Sequence, residues 1–209
     1  MDHEHLEHLA FIDQVADAAL SALPWISSDE CNKIKTKLLD FDSRYWTLTR
    51  YLSLPLYRET LLFLNSGQAA FLLSSRPSLS VVIPVHNADR ELLAMALQSL
   101  QAQIGVDLEV WISIDGLDQD FHLVENLVSQ LHSDAAMSSI VRLEILRGSS
   151  NVGVARCRNR ALRQITTTWF TCLDADDIFH PLRCLHGLLL LRQQGVQRLN
   201  TGWSRVSLR

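Results

Sequence analysis

Beyond residue 78 the chain repeats one pattern: a short, nearly continuous apolar run rich in β-branched residues, then a longer segment with apolar residues at helical spacing. The runs are Leu79–Val85, Leu108–Ile114, Val141–Leu146 and Trp169–Leu173, and the segments after them are Arg90–Gln103, Gln119–His132, Val154–Gln164 and Pro181–Gln194. Strands that are apolar on both faces belong in a sheet covered on both sides, and β–α–β connections within one sheet cross over right-handed. The pattern therefore predicts an α/β domain: an open, mostly parallel, Rossmann-like sheet flanked by helices. In such sheets ligands bind beyond the carboxyl ends of the strands.

Ahead of this region, from residue 5 to about 73, apolar residues such as Leu6, Leu9, Ile12, Val15 and Ala19 recur at helical spacing, which predicts an all-helical N-terminal region. Pro24 ends the first helix, Ser27-Ser28-Asp29-Glu30 carries capping chemistry for the second, and Leu54-Pro55 marks a further break before a helix over Tyr57–Leu73. Ser74-Ser75-Arg76-Pro77-Ser78 has the composition of a linker, so the expected division is residues 1–78 and residues 79–209. His3, His5 and His8 sit at the terminus and read as a solvated tail rather than a metal cluster.

The 19 basic and 23 acidic side chains give a formal charge of −4, which argues against a surface that holds nucleic acid by counterion release. A chain with this balance binds phosphates only if something local neutralises them. The cysteines at 31, 157, 172 and 184 lack the close pairing of a zinc site and read as reduced, mostly buried thiols. The start of the chain, Met1-Asp2-His3-Glu4-His5, lacks a basic signal-peptide region, and apolar runs such as Leu61–Leu64 fall far short of the ~20 residues that cross a bilayer. A cytoplasmic protein without a transmembrane segment is expected.

Reading each strand to its end gathers His86-Asn87, Asp115-Gly116, Gly148–Asn151 and Asp174-Ala175-Asp176-Asp177 on one sheet edge. The last string is the most informative. Three carboxylates within four residues repel one another unless a cation or a proton intervenes. Hard oxygen donors suit Mg²⁺ or Mn²⁺, which keeps positions open for diphosphate oxygens. The competing reading is a solvated acidic turn leading into a helix, with Pro181 in its first turn.

The order Val81-Val82-Ile83-Pro84-Val85-His86-Asn87, Ile114-Asp115-Gly116, Asn151-Val152-Gly153-Val154-Ala155-Arg156-Cys157-Arg158-Asn159 and Leu173-Asp174-Ala175-Asp176-Asp177 resembles the family 2 glycosyltransferases of the GT-A fold. The resemblance covers about residues 79–207. Asn200–Val206 is also similar to the strand that follows the metal-site helix in bacterial members acting on surface polysaccharides.

The resemblance implies roles for single residues. Pro84 and His86 lie along the nucleobase, His86 standing where the family often has Tyr; a hydrogen-bonded turn residue is the alternative. Asp115 matches the second carboxylate of the paired D-D-G and accepts a hydrogen bond from the base, typically uracil; a strand-end turn or a helix cap is the alternative. Ile114 replaces the first of that pair. The helix opening at Asn151–Ala161 points its amides at the crevice, where a phosphate is expected, and Arg158 matches the arginine of the A-R-N string. Cys157 stands where alanine is usual and is expected to pack. Arg156, Arg160 and Arg163 form one stripe that reads as a solvated face rather than an anion clamp. Asp174, Asp176 and Asp177 are implied to handle ribose and metal: Asp174 and Asp176 the nucleotide, Asp176 and Asp177 the Mn²⁺ or Mg²⁺.

The function implied is inverting transfer from a nucleoside diphosphate sugar, UDP-linked, to a saccharide acceptor, in an enzyme of polysaccharide biosynthesis that is cytoplasmic or peripheral to the inner membrane face. Such a reaction needs a carboxylate base downstream of the D-x-D, yet residues 178–209 contain neither Asp nor Glu. The expectation is a GT-A domain incomplete on the acceptor side, with its base beyond Arg209 and the chain alone inactive or weakly active. A non-catalytic nucleotide-sugar binding or assembly module is the alternative.

Overall fold

The computed structural model of the protein describes residues 3–67, 69, 74–116, 118–131 and 138–199. In chain order the elements are α1 (His3–Ala22), α2 (Ser28–Asn65), β1 (Ser78–Val85), α3 (Arg90–Gln101), β2 (Asp107–Ile114), α4 (Asp118–Leu131), β3 (Ile140–Arg147), α5 (Val154–Leu162), β4 (Phe170–Cys172) and α6 (Arg183–Gln194). They form two compact units: Met1–Arg76 with His180–Arg209, and Pro77–Phe179.

The sheet unit has the expected architecture. All pairings are parallel, in the order β3-β2-β1-β4. Alternate residues of a strand face opposite sides. Val82 pairs with Trp111, and both pack on Ala161 of α5, with Leu146, Leu162, Ile165 and Cys172 around them. The residues of the other set, including Val81, Ile83, Val110 and Ile112, are fully buried. The small residues Cys157 and Ala161 form the buried face of α5 and let it sit close to β1 and β2.

Order 3-2-1-4 puts the topological switch point between β1 and β4, where crevices of open sheets form. Pro84 helps to open it. Ser80 N donates to Trp169 O at 2.9 Å, and Leu173 N donates to Val82 O at 3.1 Å. The next donor of that series falls to Pro84, which has no N–H, so the ladder to β4 stops and the chain after Leu173 diverges.

In the helical unit, Ile12, Val15, Ala16 and Ala19 of α1 and Ile34, Leu38 and Phe41 of α2 are buried. Ser27 caps α2, its hydroxyl accepting from Glu30 N at 3.3 Å. The break expected at Pro55 is absent as an interruption, because helix runs through it to Asn65. The axis bends ahead of that proline. Tyr57 Oη donates to Asp42 Oδ2 at 2.5 Å, whereas a straight helix separates residues fifteen apart by ~22 Å, so the axis turns sharply between them. Residues 68 and 70–73 of the expected Tyr57–Leu73 helix, the side chains of His3, His5 and His8, and the strand expected within Asn200–Val206 lie outside the described residues.

Contacts group α6 with the N-terminal helices. The reason is in its buried face. His186, 6% exposed, places Nδ1 3.2 Å from Thr60 Oγ1 and Nε2 3.2 Å from Glu59 of α2, and its ring meets Phe63 edge-on. Burial lowers the His186 pKa, opposed by Glu59. Among the described residues no helix is long and apolar enough to cross a membrane, and the described cysteines are free thiols.

Candidate functional site

The carboxyl edge of the sheet is built from loops tied to one another through backbone amides. Asp115, immediately after β2, is 3% exposed. Its Oδ1 accepts from Val152 N at 2.7 Å and its Oδ2 from Gly153 N at 2.9 Å, the two residues ahead of α5. Gly116 follows at φ +86°, and a Cβ there would lie 2.3 Å from the Ser150 carbonyl carbon. That approach is open only to glycine, and it lays the β2 end flat on the loop before α5. Both oxygens of Asp115 accept from amides of the loop ahead of α5 and so tie the β2 end to that loop.

His86 is exposed at the end of β1, and its Nε2 lies 3.1 Å from Asn151 Nδ2. Asn151 Oδ1 accepts from Gly153 N at 3.1 Å. His86 thus joins the β1 end to the loop that Asp115 holds. Pro84 is half-buried, on the β4 side of β1 at the switch point.

At the end of β4 the acidic string forms a turn, Asp177 N donating to Asp174 O at 3.0 Å. Asp176 and Asp177 are exposed. Asp174 is ion-paired with Arg158 of α5, so the structure brings together two of the expected nucleotide-binding residues, as a pair with each other. Among the described residues no three His, Cys, Asp or Glu side chains converge into a metal cage. The exposed, adjacent Asp176 and Asp177 fit the other mode of Mg²⁺ or Mn²⁺ binding, in which one or two carboxylates share the ion with water and substrate phosphates. That leaves Asp174 to its arginine.

In the loop ahead of the N-terminus of α5, the amides of Val152 and Gly153 are held by the Asp115 carboxylate. One reading of α5 changes. The stripe Arg156, Arg160, Arg163 is not a uniform solvated face: Arg156 and Arg163 are exposed, but Arg160 Nη2 donates to Ile114 O at 3.0 Å. Gly148 makes room for that guanidinium, since a Cβ there would lie 2.3 Å from Arg160 Nη1. Cys157 packs as expected, fully buried, and also locks α5 to β2: its Sγ donates to Ser113 O and Ser113 Oγ donates to Cys157 O, each at 2.8 Å.

Sequence reasoning missed Asp120, which lies in the first turn of α4 and is 1% exposed. An acid in a first helical turn reads as a surface residue favoured by the helix dipole, so the available signal pointed elsewhere. Its carboxylate instead accepts from Asn87 N at 2.7 Å and Ala88 N at 3.1 Å, in the loop after β1.

An open parallel sheet of this order, with acids and glycine turns at its switch-point edge, defines a Rossmann-like α/β domain of the GT-A type. The family model for glycosyl transferase family 2 matches residues 80–197, more than half of the chain, and the chain belongs to that family. Over 124 residues it is 28% identical to the O-antigen biosynthesis protein RfbC of Myxococcus xanthus, covering 59% of this chain and 9% of that protein. Over 115 residues it is 30% identical to an uncharacterized glycosyltransferase of Haemophilus influenzae, covering 55% of this chain and 35% of that one. The match thus spans about a third or less of either relative. Among solved structures, the mannosyltransferase PcManGT of Pyrobaculum calidifontis, in complex with GDP-Man and Mn²⁺, aligns at a TM-score of 0.47 and 23% identity, over 56% of this chain and 33% of that one.

Proposed function

We propose that the chain supplies the donor-binding part of an inverting glycosyltransferase that takes a nucleoside diphosphate sugar, UDP-linked, with Mn²⁺ or Mg²⁺. The observation that carries this reading is the exposed pair Asp176 and Asp177 on a turn at the switch point, following the strand that pairs with β1. In this reading Pro84 and His86 form the wall along the base. Asp115 holds the loop that carries Asn151, the residue against which His86 rests. Arg158 and Asp174 orient each other beside the ribose. Asp176 and Asp177 hold the cation, which when bound neutralises the leaving diphosphate.

Transfer also needs a carboxylate to take the proton of the acceptor hydroxyl as the sugar's anomeric carbon is displaced from diphosphate. Residues 178–209 offer no Asp or Glu, so in this reading that base does not come from this stretch, and the acceptor is a saccharide of the cell envelope. Polysaccharide biosynthesis at the inner face of the membrane is the setting such a donor and acceptor share, and the relation to an O-antigen biosynthesis protein supports it.

Calorimetry with UDP and Mn²⁺, with and without chelator, tests the reading. Binding is expected to collapse on chelation and in the double variant Asp176→Ala, Asp177→Ala. Equal affinity with and without metal refutes the cation's place in the site.

A further inference from the structure

Asp120 is a buried acid, and its position is unusual. Its oxygens take two consecutive amides, those of Asn87 and Ala88, and it comes from α4 rather than from a strand end. Successive backbone N–H groups that converge on one anion form a nest, and such an arrangement needs a residue in the left-handed region. Asn87 is that residue: at φ +50° it is the non-glycine residue with positive φ among those described. Backbone in this region is costly for an L side chain and persists where its surroundings hold it. The Asp120 carboxylate holds it here.

The residue before Asn87 is His86, whose imidazole is fixed at its other end by Asn151. Asn151 in turn shares Gly153 N with Asp115. Two buried carboxylates therefore anchor a chain of contacts that crosses the sheet edge, Asp120 beneath the β1 loop and Asp115 beneath the loop before α5, with His86 and Asn151 meeting between them. At 1% exposure Asp120 itself is out of reach of a ligand.

We propose that Asp120 is a positioning residue for the donor's base: by holding Asn87 in the left-handed conformation it sets the direction in which His86 leaves β1, and so the shape of the wall that the base meets. This rests on the donor-site reading above. It separates the nucleotide's two ends, because the wall at His86 faces the base while the acidic turn at Asp176 and Asp177 comes after a different strand. Loss of Asp120 is then expected to weaken recognition of the base and leave recognition of the diphosphate intact.

The test compares the full chain with Asp120→Asn and Asp120→Ala, titrating each with UDP and with inorganic pyrophosphate, both with Mn²⁺. Asp120→Asn keeps one acceptor oxygen and guards against outright misfolding, which thermal melting monitors. The expected result is UDP affinity lowered about tenfold in Asp120→Asn and further in Asp120→Ala, with pyrophosphate affinity unchanged. In ¹H–¹⁵N spectra of the histidine rings, the His86 signals, assigned by their loss in His86→Gln, are expected to shift in both variants. UDP affinity within twofold of wild type, or equal losses for UDP and pyrophosphate, overturns the role of Asp120 alone. Failure of the wild-type chain to bind either probe overturns the donor-site reading and this proposal with it.

Discussion

Replacing Asp115 with Asn separates two jobs that one carboxylate can do at a strand end. The side chain is almost isosteric, so shape is kept while one oxygen becomes an amino group. In the structure both oxygens accept from amides, Val152 N at 2.7 Å and Gly153 N at 2.9 Å, and the group is 3% exposed. Asp115→Asn therefore loses one hydrogen bond to a charged acceptor, worth about 1.5–3 kcal/mol, and sets a buried amino group against an amide donor, an unsatisfied contact of about 1–3 kcal/mol. A destabilisation of about 3–5 kcal/mol is expected in urea unfolding, together with faster hydrogen exchange at the amides of Val152 and Gly153. A base-reading Asp115 predicts otherwise: unchanged stability and a loss of about 1–3 kcal/mol in UDP binding alone. If the variant unfolds at the wild-type urea concentration and keeps both amides protected, the clamp role is refuted.

Local geometry yields two further expected outcomes. Gly116→Ala combines a positive φ of +86° with a Cβ 2.3 Å from the Ser150 backbone, so a loss of about 2–5 kcal/mol is expected in equilibrium unfolding; wild-type stability would show that the two loops can part. His186 has its pKa lowered by burial, so the unfolded chain binds more protons than the folded one at pH values near and below the ordinary histidine value of 6.5. Its contribution is complete above that value and is lost as pH falls through the folded pKa: melting temperatures are expected to drop between pH 7 and 5, less steeply in His186→Gln, and equal slopes for the two proteins would count against it.

The central strands β1 and β2 were legible because strands buried on both faces leave the most direct mark in a sequence, an unbroken apolar run between turn residues. Leu79–Val85 and Ser78–Val85 differ by one residue. The edge was legible for the same reason: once the strands are known, the residues at their carboxyl ends must lie together. The job of each edge residue was less so. An aspartate followed by glycine after a strand is compatible with facing a ligand or a neighbouring loop, and only the position of Val152 and Gly153 decides. Arg160 shares its helical stripe with two exposed arginines, and the difference lies in the missing side chain at Gly148, in another element. The placement of α6 is of the same kind. Its apolar residues fit a sheet as well as a helix, and His186 finds its partners on α2, where Glu59 and Thr60 carry no mark of the pairing.

These placements bear on how an acidic chain can hold a diphosphate. The sequence pointed to two local sources of positive charge at the edge, the N-terminus of α5 and Arg158 along it. In the structure the amides leading into α5 serve Asp115, Arg158 is paired with Asp174, and Arg160 serves the Ile114 carbonyl. Arg156 remains in the first turn of α5, exposed, where a single ion pair in water is worth at most about 1 kcal/mol. Against it stand the exposed carboxylates of Asp176 and Asp177, which repel a diphosphate on their own. A cation bound there reverses the sign of that turn from repulsion to attraction. Metal dependence in this chain is expected from those acids, and the commitment of Arg158 and Arg160 to partners within the chain adds to the expectation.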